Sequence, residues 1–311
     1  MIAAERLVPA GEAALYLTQA PDYSCKNCAR RKRSQTVATL RQRSVALRLQ
    51  TIVICRFDLT VNGPSIATSD RTYSLRPSEI HTLTDVGRFR VVAVDDLANL
   101  GYPGDRPGMD SDLRNLVRLG LLQRRGTSAL KKESQHILTL TKQGQRFLRR
   151  HDLVPEEQTI YSGLVKPKEA NHDASLYRLY QKAAGEIERK GGKVFRVQLD
   201  YELKEKLYRK LGKTQTQDER RNKQSKVAFA REVHLPVVNG KVAFPDLRIE
   251  YANQEMEISR MDLELATGHY HGEYLAEKAR AGFQIYARSE DAPGLRRVRD
   301  EREIMTTILS L

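Results

Sequence analysis

The chain has 311 residues, which is enough for two domains that each bury a core of their own. Its net charge of +14 divides into +6 over residues 1–75, +5 over 76–155, +6 over 156–240 and −3 over 241–311. Three cysteines do not make the framework of a disulfide-rich secreted protein, and the sequence contains neither a signal-peptide pattern nor an apolar run of about 20 residues. We therefore expect a soluble, cytoplasmic protein with no membrane partner, whose basic body and acidic C-terminal region suit a polyanion ligand and a cation site.

Residues 1–75 form a basic segment without clear helical or strand periodicity, and its role is undefined by the sequence. Its cysteines fall short of the four ligands that structural zinc requires, so incidental thiols are favoured over a zinc site. The run 30–33 consists only of arginine and lysine, which suits either a phosphate-contacting arm or a solvated charge cluster. The cysteines are Cys25, Cys28 and Cys55.

Residues 76–153 show the clearest periodicity of the N-terminal half. Apolar residues recur at helical spacing in three places, and two β-rich stretches follow, separated by Gly126-Thr127-Ser128. A further helix begins near Lys142. The predicted elements are a helix from Pro77, a short helix over 94–98, a helix capped at 110–112, strands over 121–125 and 136–141, and the closing helix.

This order of elements resembles the winged helix-turn-helix family over about residues 76–151, most specifically in segments 112–122 and 140–144. The resemblance implies that the third helix enters the major groove while the wing contacts the DNA backbone. Packing of this module against another protein is the alternative. The residues implied in DNA binding are Arg114, Asn115 and Arg118 on the helix, with Arg124, Arg125, Lys131 and Lys132 on the wing.

Residues 154–169 are predicted to be a linker, and 170–311 a second domain. A helix is predicted from 170 to about 187, followed by a strand over 194–199. Segment 204–226 is strongly basic, which suits either a phosphate clamp or an exposed helix that charge keeps soluble. A helix over 273–283 and a strand over 284–287 close the domain.

A β-hairpin predicted from two apolar stretches, 242–250 and 255–265, gathers carboxylates near its open end. The apolar phase changes between Met256 and Met261, which predicts a bulge near Ser259-Arg260. Beyond it, alternation places the acidic residues of the second strand on one face, where the hairpin brings them towards the acid that opens the first strand. These acids are Asp246, Asp262 and Glu264.

This arrangement of helix, strand, hairpin, helix and strand resembles the PD-(D/E)xK nuclease superfamily over about residues 170–290. Within it, the plasmid replication-relaxation family is the closest likeness, because that family joins a winged helix to such a domain. The resemblance implies an α+β protein: an N-terminal winged helix-turn-helix followed by an α/β nuclease-like domain with a central mixed sheet. The residues that carry it are His172, Glu202, Pro245-Asp246, the stretch 264–268, Leu275 and Lys278.

In this superfamily, acidic residues hold Mg²⁺ (or Mn²⁺) and a lysine two residues after the second acid stabilises charge. The implied catalytic residues are therefore Asp246, Asp262, Glu264 and Lys278, with Glu202 as a further ligand. The chain departs from the pattern at the lysine. Either Glu264 is the acid and Lys278 reaches in from the next helix, or Asp262 is the acid and Glu264 stands in the lysine position; the sequence leaves both open.

The expected function is recognition of a site on double-stranded DNA, with metal-dependent nicking left open. Proteins of a plasmid origin or of mobilisation are the partners implied by the resemblance, and a homodimer is left open. The alternatives are a non-catalytic DNA-binding regulator with a degenerate nuclease fold and, if DNA affinity is absent, a protein-interaction adaptor. The motif His269-Tyr270-His271 matches the histidine pair and tyrosine of another relaxase class, but its position between Gly268 and Gly272 favours a polar turn.

Overall fold

The computed structural model describes residues 65–67, 72–127, 135–212 and 219–311. The predictions for Cys25, Cys28, Cys55 and the basic run 30–33 fall outside these residues, as do those for Lys131 and Lys132. In the described part of the chain, no helix is both long enough and apolar enough to cross a membrane. The fold is mixed α+β, which confirms the predicted class.

The first half contains a short strand pair followed by helices that surround a three-stranded antiparallel sheet of order β3-β5-β4. Its elements are β1 (Ser65–Ala67), β2 (Thr72–Ser74), α1 (Pro77–Arg88), β3 (Val92–Ala93), α2 (Val94–Asp96) with a π-helical turn (Leu97–Gly101), α3 (Arg106–Arg118), β4 (Leu122–Thr127), β5 (Gln135–Leu140) and α4 (Lys142–Arg150).

Helix α3 begins earlier than the sequence predicted. Its N-cap is Asp105, whose Oδ1 accepts a hydrogen bond from the backbone N–H of Gly108 at 2.9 Å. Asp112, which was predicted to lie in the cap, is buried in the middle of the helix and accepts a hydrogen bond from the Tyr102 hydroxyl. The prediction was wrong because an Asp followed by Pro107 in the first turn is also a strong helix start, and it comes first.

The second half is built on a five-stranded mixed sheet of order β12-β11-β10-β9-β6. Strand β9 is antiparallel to both of its neighbours, β6 and β10, whereas β11 runs parallel to β10 and to β12. Its elements are α5 (Pro167–Arg189), β6 (Lys193–Leu199), α6 (Asp200–Gly212), α7 (Glu219–Glu232), β7 (Val237–Val238), β8 (Lys241–Val242), β9 (Leu247–Ala252), β10 (Ile258–Ala266), α8 (Gly272–Arg280), β11 (Gln284–Ala287), α9 (Ala292–Glu301) and β12 (Ile308–Ser310).

One hydrophobic core runs through both halves. Phe89, which follows α1, packs its ring 5.5 Å from that of Tyr177 and 5.0 Å from that of Tyr180, both on α5. The segment predicted to be a linker has little regular structure, yet Gln158 is buried and its side chain bonds both the N–H and the C=O of Val197 on β6. The two halves are therefore held in one packed body.

The hairpin of β9 and β10 pairs without interruption from Ile258 opposite Ala252 to Leu263 opposite Leu247. The bulge predicted near Ser259-Arg260 is therefore wrong. Met256, whose position suggested the phase change, lies in the turn before the strand with a φ of 61° and is 63% exposed. The irregularity in this sheet falls instead on β6, between Val194 and Arg196.

Arg248 on β9 is the largest fully buried side chain in the described residues. Its guanidinium makes two hydrogen bonds to the Asp262 carboxylate, at 2.6 and 2.8 Å, across the β9–β10 pair. It also donates to the carbonyl oxygens of Val233 and His234, both at 2.8 Å. Arg248 therefore fastens the chain after α7 to the central sheet.

Replacement of Arg248 with leucine should lower the free energy of unfolding by about 3–5 kcal/mol, because it leaves the Asp262 carboxylate and two backbone carbonyls without their donor. Urea denaturation at pH 7 measures the loss. Arg260→Leu is the matched control: Arg260 pairs with Glu250 at 3.2 Å but its side chain is 34% exposed, so about 0–1 kcal/mol is expected. Equal losses in the two variants would contradict the assignment.

Candidate active site

Asp246, Glu264 and Lys278 converge at one end of the β9–β10 hairpin. Asp246 precedes β9, and its Oδ2 accepts a hydrogen bond from the backbone N–H of Leu265 on β10 at 2.9 Å. Lys278 reaches in from α8, and its Nζ lies 2.8 Å from Glu264 Oε1 and 2.8 Å from the carbonyl oxygen of Phe244. The acid that precedes β9, an acid of β10 and a lysine of the following helix thus share one site.

Strand and helix periodicity explain this convergence. Leu263 and Leu265 are buried on one face of β10, so Glu264 between them points to the opposite face. On α8, Leu275 and Lys278 are three residues apart and both buried, so they lie on the helix face that packs on the sheet. The lysine is therefore buried because its helix must cover the strand that carries Glu264.

Glu264 has the most unusual electrostatic environment in the site. Its side chain is fully buried, and burial together with the negative charge of Asp246 raises its pKa to about 7. Oε1 receives hydrogen bonds from Lys278 and, at 2.9 Å, from the Tyr270 hydroxyl. Oε2 has no partner although it is buried. A buried carboxylate oxygen without a donor is expected to bind either a proton or a cation.

The pKa values of Asp246 and Lys278 are also raised. Burial raises the pKa of Asp246, and the hydrogen bond from Leu265 only partly offsets this. For Lys278, burial lowers the pKa, but the nearby Glu264 carboxylate outweighs burial and raises it. The lysine therefore remains a cation beneath the two acids.

A second ring of residues surrounds Asp246. The Nε2 atom of His172 on α5 lies 3.5 Å from Asp246 Oδ1, and the N–H of Asp200 donates to the Asp246 carbonyl at 3.2 Å. Asp173, next to His172, is buried, and burial raises its pKa to about 6. The sequence analysis missed Asp173 and Asp200, although Asp200 directly follows a buried strand, where site residues often lie.

Arg90 connects the first half of the chain to this ring. It follows α1 in a left-handed conformation with a φ of 59°. Its Nη1 lies 2.9 Å from Asp173 and 3.6 Å from Glu169, and its guanidinium lies 4.1 Å from the centre of the Tyr201 ring. Sequence spacing gave no signal for Arg90, because its contacts come from residues more than 75 positions away.

Two of the predicted site residues are engaged elsewhere. Asp262 forms the bidentate pair with Arg248. Glu202 on α6 accepts hydrogen bonds from Arg196, Gln198 and Lys206; burial opposes the shift, but these donors lower its pKa. The geometry thus fits the arrangement with Glu264 as the acid and Lys278 from the helix. It does not fit the one in which Asp262 is the acid.

Only Asp246 and Glu264 of the predicted metal ligands therefore lie together. Within the described ranges, no group of three or more His, Cys, Asp or Glu side chains is arranged to hold a metal ion. A cation bound by these two acids would take its remaining ligands from water or from a substrate phosphate, as Mg²⁺ commonly does.

The turn His269-Tyr270-His271 does not present a histidine pair with a free tyrosine. Both histidines are exposed, and His271 is the N-cap residue of α8. The Tyr270 hydroxyl is bound to Glu264, and burial raises the pKa of Tyr270 further from neutrality. This tyrosine orients the Glu264 carboxylate.

The four arginines predicted to contact DNA lie on α3 and β4. Arg114, Arg118, Arg124 and Arg125 are exposed. Asn115 is half-buried, and its amide is bound within the protein: Nδ2 donates to Glu79 at 2.7 Å, and Oδ1 accepts from Arg118 at 2.7 Å. The arginine side chains are therefore accessible to a ligand, whereas the Asn115 amide is already hydrogen-bonded within the protein.

Comparison with protein-family models, with curated proteins and with solved structures gave no match for this chain.

The raised pKa of Glu264 predicts that stability falls as the pH rises. Between its usual pKa of 4.5 and about 7, the folded protein holds a proton at Glu264 that the unfolded chain releases. From pH 5 to pH 8 the wild type should lose on the order of 2–3 kcal/mol more unfolding free energy than Glu264→Gln. Urea denaturation at both pH values measures the difference; Glu273→Gln, an exposed acid on α8, should follow the wild type. Parallel profiles for wild type and Glu264→Gln would refute the assignment.

Proposed function

We propose that this chain binds double-stranded DNA and hydrolyses a phosphodiester bond with the help of a divalent cation. The observation that supports the proposal best is the meeting of Asp246, Glu264 and Lys278, with one buried carboxylate oxygen of Glu264 left without a donor. Two acids and a lysine at the end of a β-hairpin match the chemistry of the PD-(D/E)xK superfamily. The lysine comes from the helix that follows the strand.

Asp246 and Glu264 would hold Mg²⁺ or Mn²⁺, since Glu264 keeps one carboxylate oxygen without a donor and Asp246 is bound by a backbone N–H through only one of its two oxygens. A bound cation supplies charge stabilisation at a phosphate oxygen and lowers the pKa of a water molecule. Cation binding favours the ionised form of Glu264, so that a pKa near 7 does not prevent function at neutral pH.

Lys278 supplies a permanent positive charge in a site shielded from water. Its ammonium group donates to Glu264 and to the Phe244 carbonyl, and it also interacts with the Tyr274 side chain. Its positive charge suits the negative charge that develops on a phosphate during hydrolysis. His172, 3.5 Å from Asp246, suits proton exchange with solvent because its side chain is 38% exposed.

The first half supports the DNA-binding part of the proposal. The order α1, α2, α3, then the β4–β5 hairpin, fits a winged helix whose third helix carries the recognition residues. Arg114 and Arg118 present exposed guanidinium groups on α3, while Arg124 and Arg125 do so on β4. A regulator or mobilisation protein at a plasmid origin is the biological role that best suits both halves.

A non-catalytic DNA-binding regulator is the second candidate function. It is favoured by the engagement of Asp262 with Arg248 and of Glu202 with Arg196 and Lys206, which leaves two acids where three were expected. In that case Lys278 serves to neutralise a buried Glu264 in a nuclease fold that has lost its chemistry.

Nicking of supercoiled plasmid DNA with Mn²⁺ or Mg²⁺ separates the two functions. We expect conversion to open circles by the wild type and a rate at least about 100-fold lower for Asp246→Asn, Glu264→Gln and Lys278→Met. Arg280→Met and Glu273→Gln, exposed residues on the same helix as Lys278, should retain the rate.

Calorimetric titration with Mn²⁺ gives a second measurement that needs no turnover. The wild type should bind the ion, and Asp246→Asn and Glu264→Gln should not. If the protein binds DNA but neither nicks it nor binds the ion, the enzymatic proposal is refuted and the non-catalytic regulator is supported.

DNA affinity should depend on the arginines of α3. The double variant Arg114→Ala/Arg118→Ala should bind a DNA duplex at least about 10-fold more weakly, with the salt slope reduced by about two, since each arginine–phosphate contact contributes about one. Fluorescence anisotropy at several salt concentrations measures both. Arg297→Ala, an exposed arginine on α9, is the control; equal affinities in all three proteins would exclude α3 from the interface.

A further inference from the structure

The segment between β6 and β9 forms a lobe beside the candidate active site. Helices α6 and α7 and the β7–β8 hairpin share a small core of their own, made by Leu203, Ala230 and Leu235 with Phe244 packed against it. This core is separate from the main one. The lobe is therefore an insertion that adds no strand to the central sheet and has a small core of its own, although Tyr201 at the start of α6 packs against the main core.

The lobe is strongly basic. Residues 204–244 contain eleven lysines and arginines but four aspartates and glutamates. Some of these cations are paired, as Lys206 is with Glu202. Among the residues that the structure describes, Lys223 and Lys226 have no acidic partner within salt-bridge distance.

One face of α6 runs outward from the active site. Asp200, Lys204 and Tyr208 lie four residues apart and so share a face, along which Tyr208 is about 12 Å from Asp200. The face begins at the site, because the Asp200 N–H donates to the Asp246 carbonyl. Lys204 pairs with Asp200 at 2.6 Å, and its Nζ lies 5.9 Å from the centre of the Phe244 ring.

Tyr208 is the unusual residue of this face. It is 55% exposed although it is a large aromatic residue, and the Nζ of Lys226 on α7 lies 5.6 Å from its ring centre. An accessible aromatic ring flanked by lysines is the pattern with which proteins bind single-stranded nucleic acid: the ring stacks on a base, and the cations contact the phosphates. A base inside a duplex offers no free face for such stacking.

We propose that Lys204, Tyr208 and Lys226 form a binding ridge for an unpaired stretch of DNA strand that leads to the Asp246–Glu264 site. This inference rests on the proposed function and specifies its substrate: the strand is held single-stranded next to the site, while α3 holds the neighbouring duplex. Of the two interpretations of the basic segment 204–226, this proposal corresponds to the phosphate clamp.

The test compares binding of a fluorescent single-stranded oligonucleotide and the corresponding duplex by the full chain, in EDTA so that no cleavage occurs. Tyr208→Ala should weaken single-strand binding by about 5- to 100-fold and change duplex binding less than twofold. Tyr208→Phe, which keeps the ring, should retain single-strand binding. Lys226→Gln should reduce the salt slope for the single strand by about 0.7.

The matched control is Arg189→Gln/Lys190→Gln, which removes two exposed cations at the far end of α5, about 25 Å along the helix from His172. It should bind both oligonucleotides as the wild type does. Photocrosslinking to an oligonucleotide that carries bromodeoxyuridine should label Tyr208 directly. Thermal unfolding of each variant checks the fold.

The outcomes separate the two proposals. If the wild type binds duplex but Tyr208→Ala binds the single strand as tightly as Tyr208→Phe does, the ridge is refuted and the proposed function stands. If the control variant weakens single-strand binding as much as the ridge variants do, the loss reflects the net charge of the protein and not a specific site. The ridge is then also refuted. If the wild type binds neither oligonucleotide, both proposals fail together.

Discussion

The hydrogen bond from the Leu265 N–H to Asp246 Oδ2 is the contact on which the candidate site depends. It joins the start of β9 to the end of β10 and so holds Asp246 beside Glu264, which directly precedes Leu265. Two carboxylates in a buried position repel each other, and the fold offsets this with the Lys278 ammonium, the Tyr270 hydroxyl and the backbone donor. The compensation is incomplete because Glu264 Oε2 remains without a donor. A site in this condition gains stability from a proton or a cation, which is the property that a hydrolytic metal centre requires.

The same site is tied to the basic half of the chain. Phe89 packs against Tyr177 and Tyr180, and Arg90, the next residue, reaches Asp173 beside His172. The residues after α1 therefore fix the N-terminal part of α5, which in turn places His172 at Asp246. The exposed arginines of α3 and β4 and the acidic cluster share one core and therefore keep a defined separation. The proposed function requires this property, because it needs the cluster to act at a fixed distance from the DNA that α3 would bind.

Local sequence patterns were sufficient to predict a secondary-structure element wherever a single sequence signal dominated. The long helix α5, strand β11 and the β4–β5 hairpin follow from periodicity and turn residues. The start of α3 and the bulge in β10 were mispredicted because two signals competed. Asp105-Arg106-Pro107 and Asp110-Ser111-Asp112 both suit a cap, and Met256 belongs to a turn although it resembles a strand residue. A single sequence does not rank such signals, since packing of the whole domain decides between them.

The sequence by itself determined the α+β class, the uneven distribution of charge and the identity of the acids that alternate along β10, because these depend on composition and on periods of two and 3.6 residues. The tertiary structure decided which acids meet. Glu264 and Asp262 are two residues apart on the same face, yet one faces Lys278 under α8 and the other is bound by Arg248. It also placed His172 and Asp200 next to Asp246, and Arg90 next to Asp173. These relations depend on how helices from distant parts of the chain pack on the sheet, and no local spacing in the sequence encodes them.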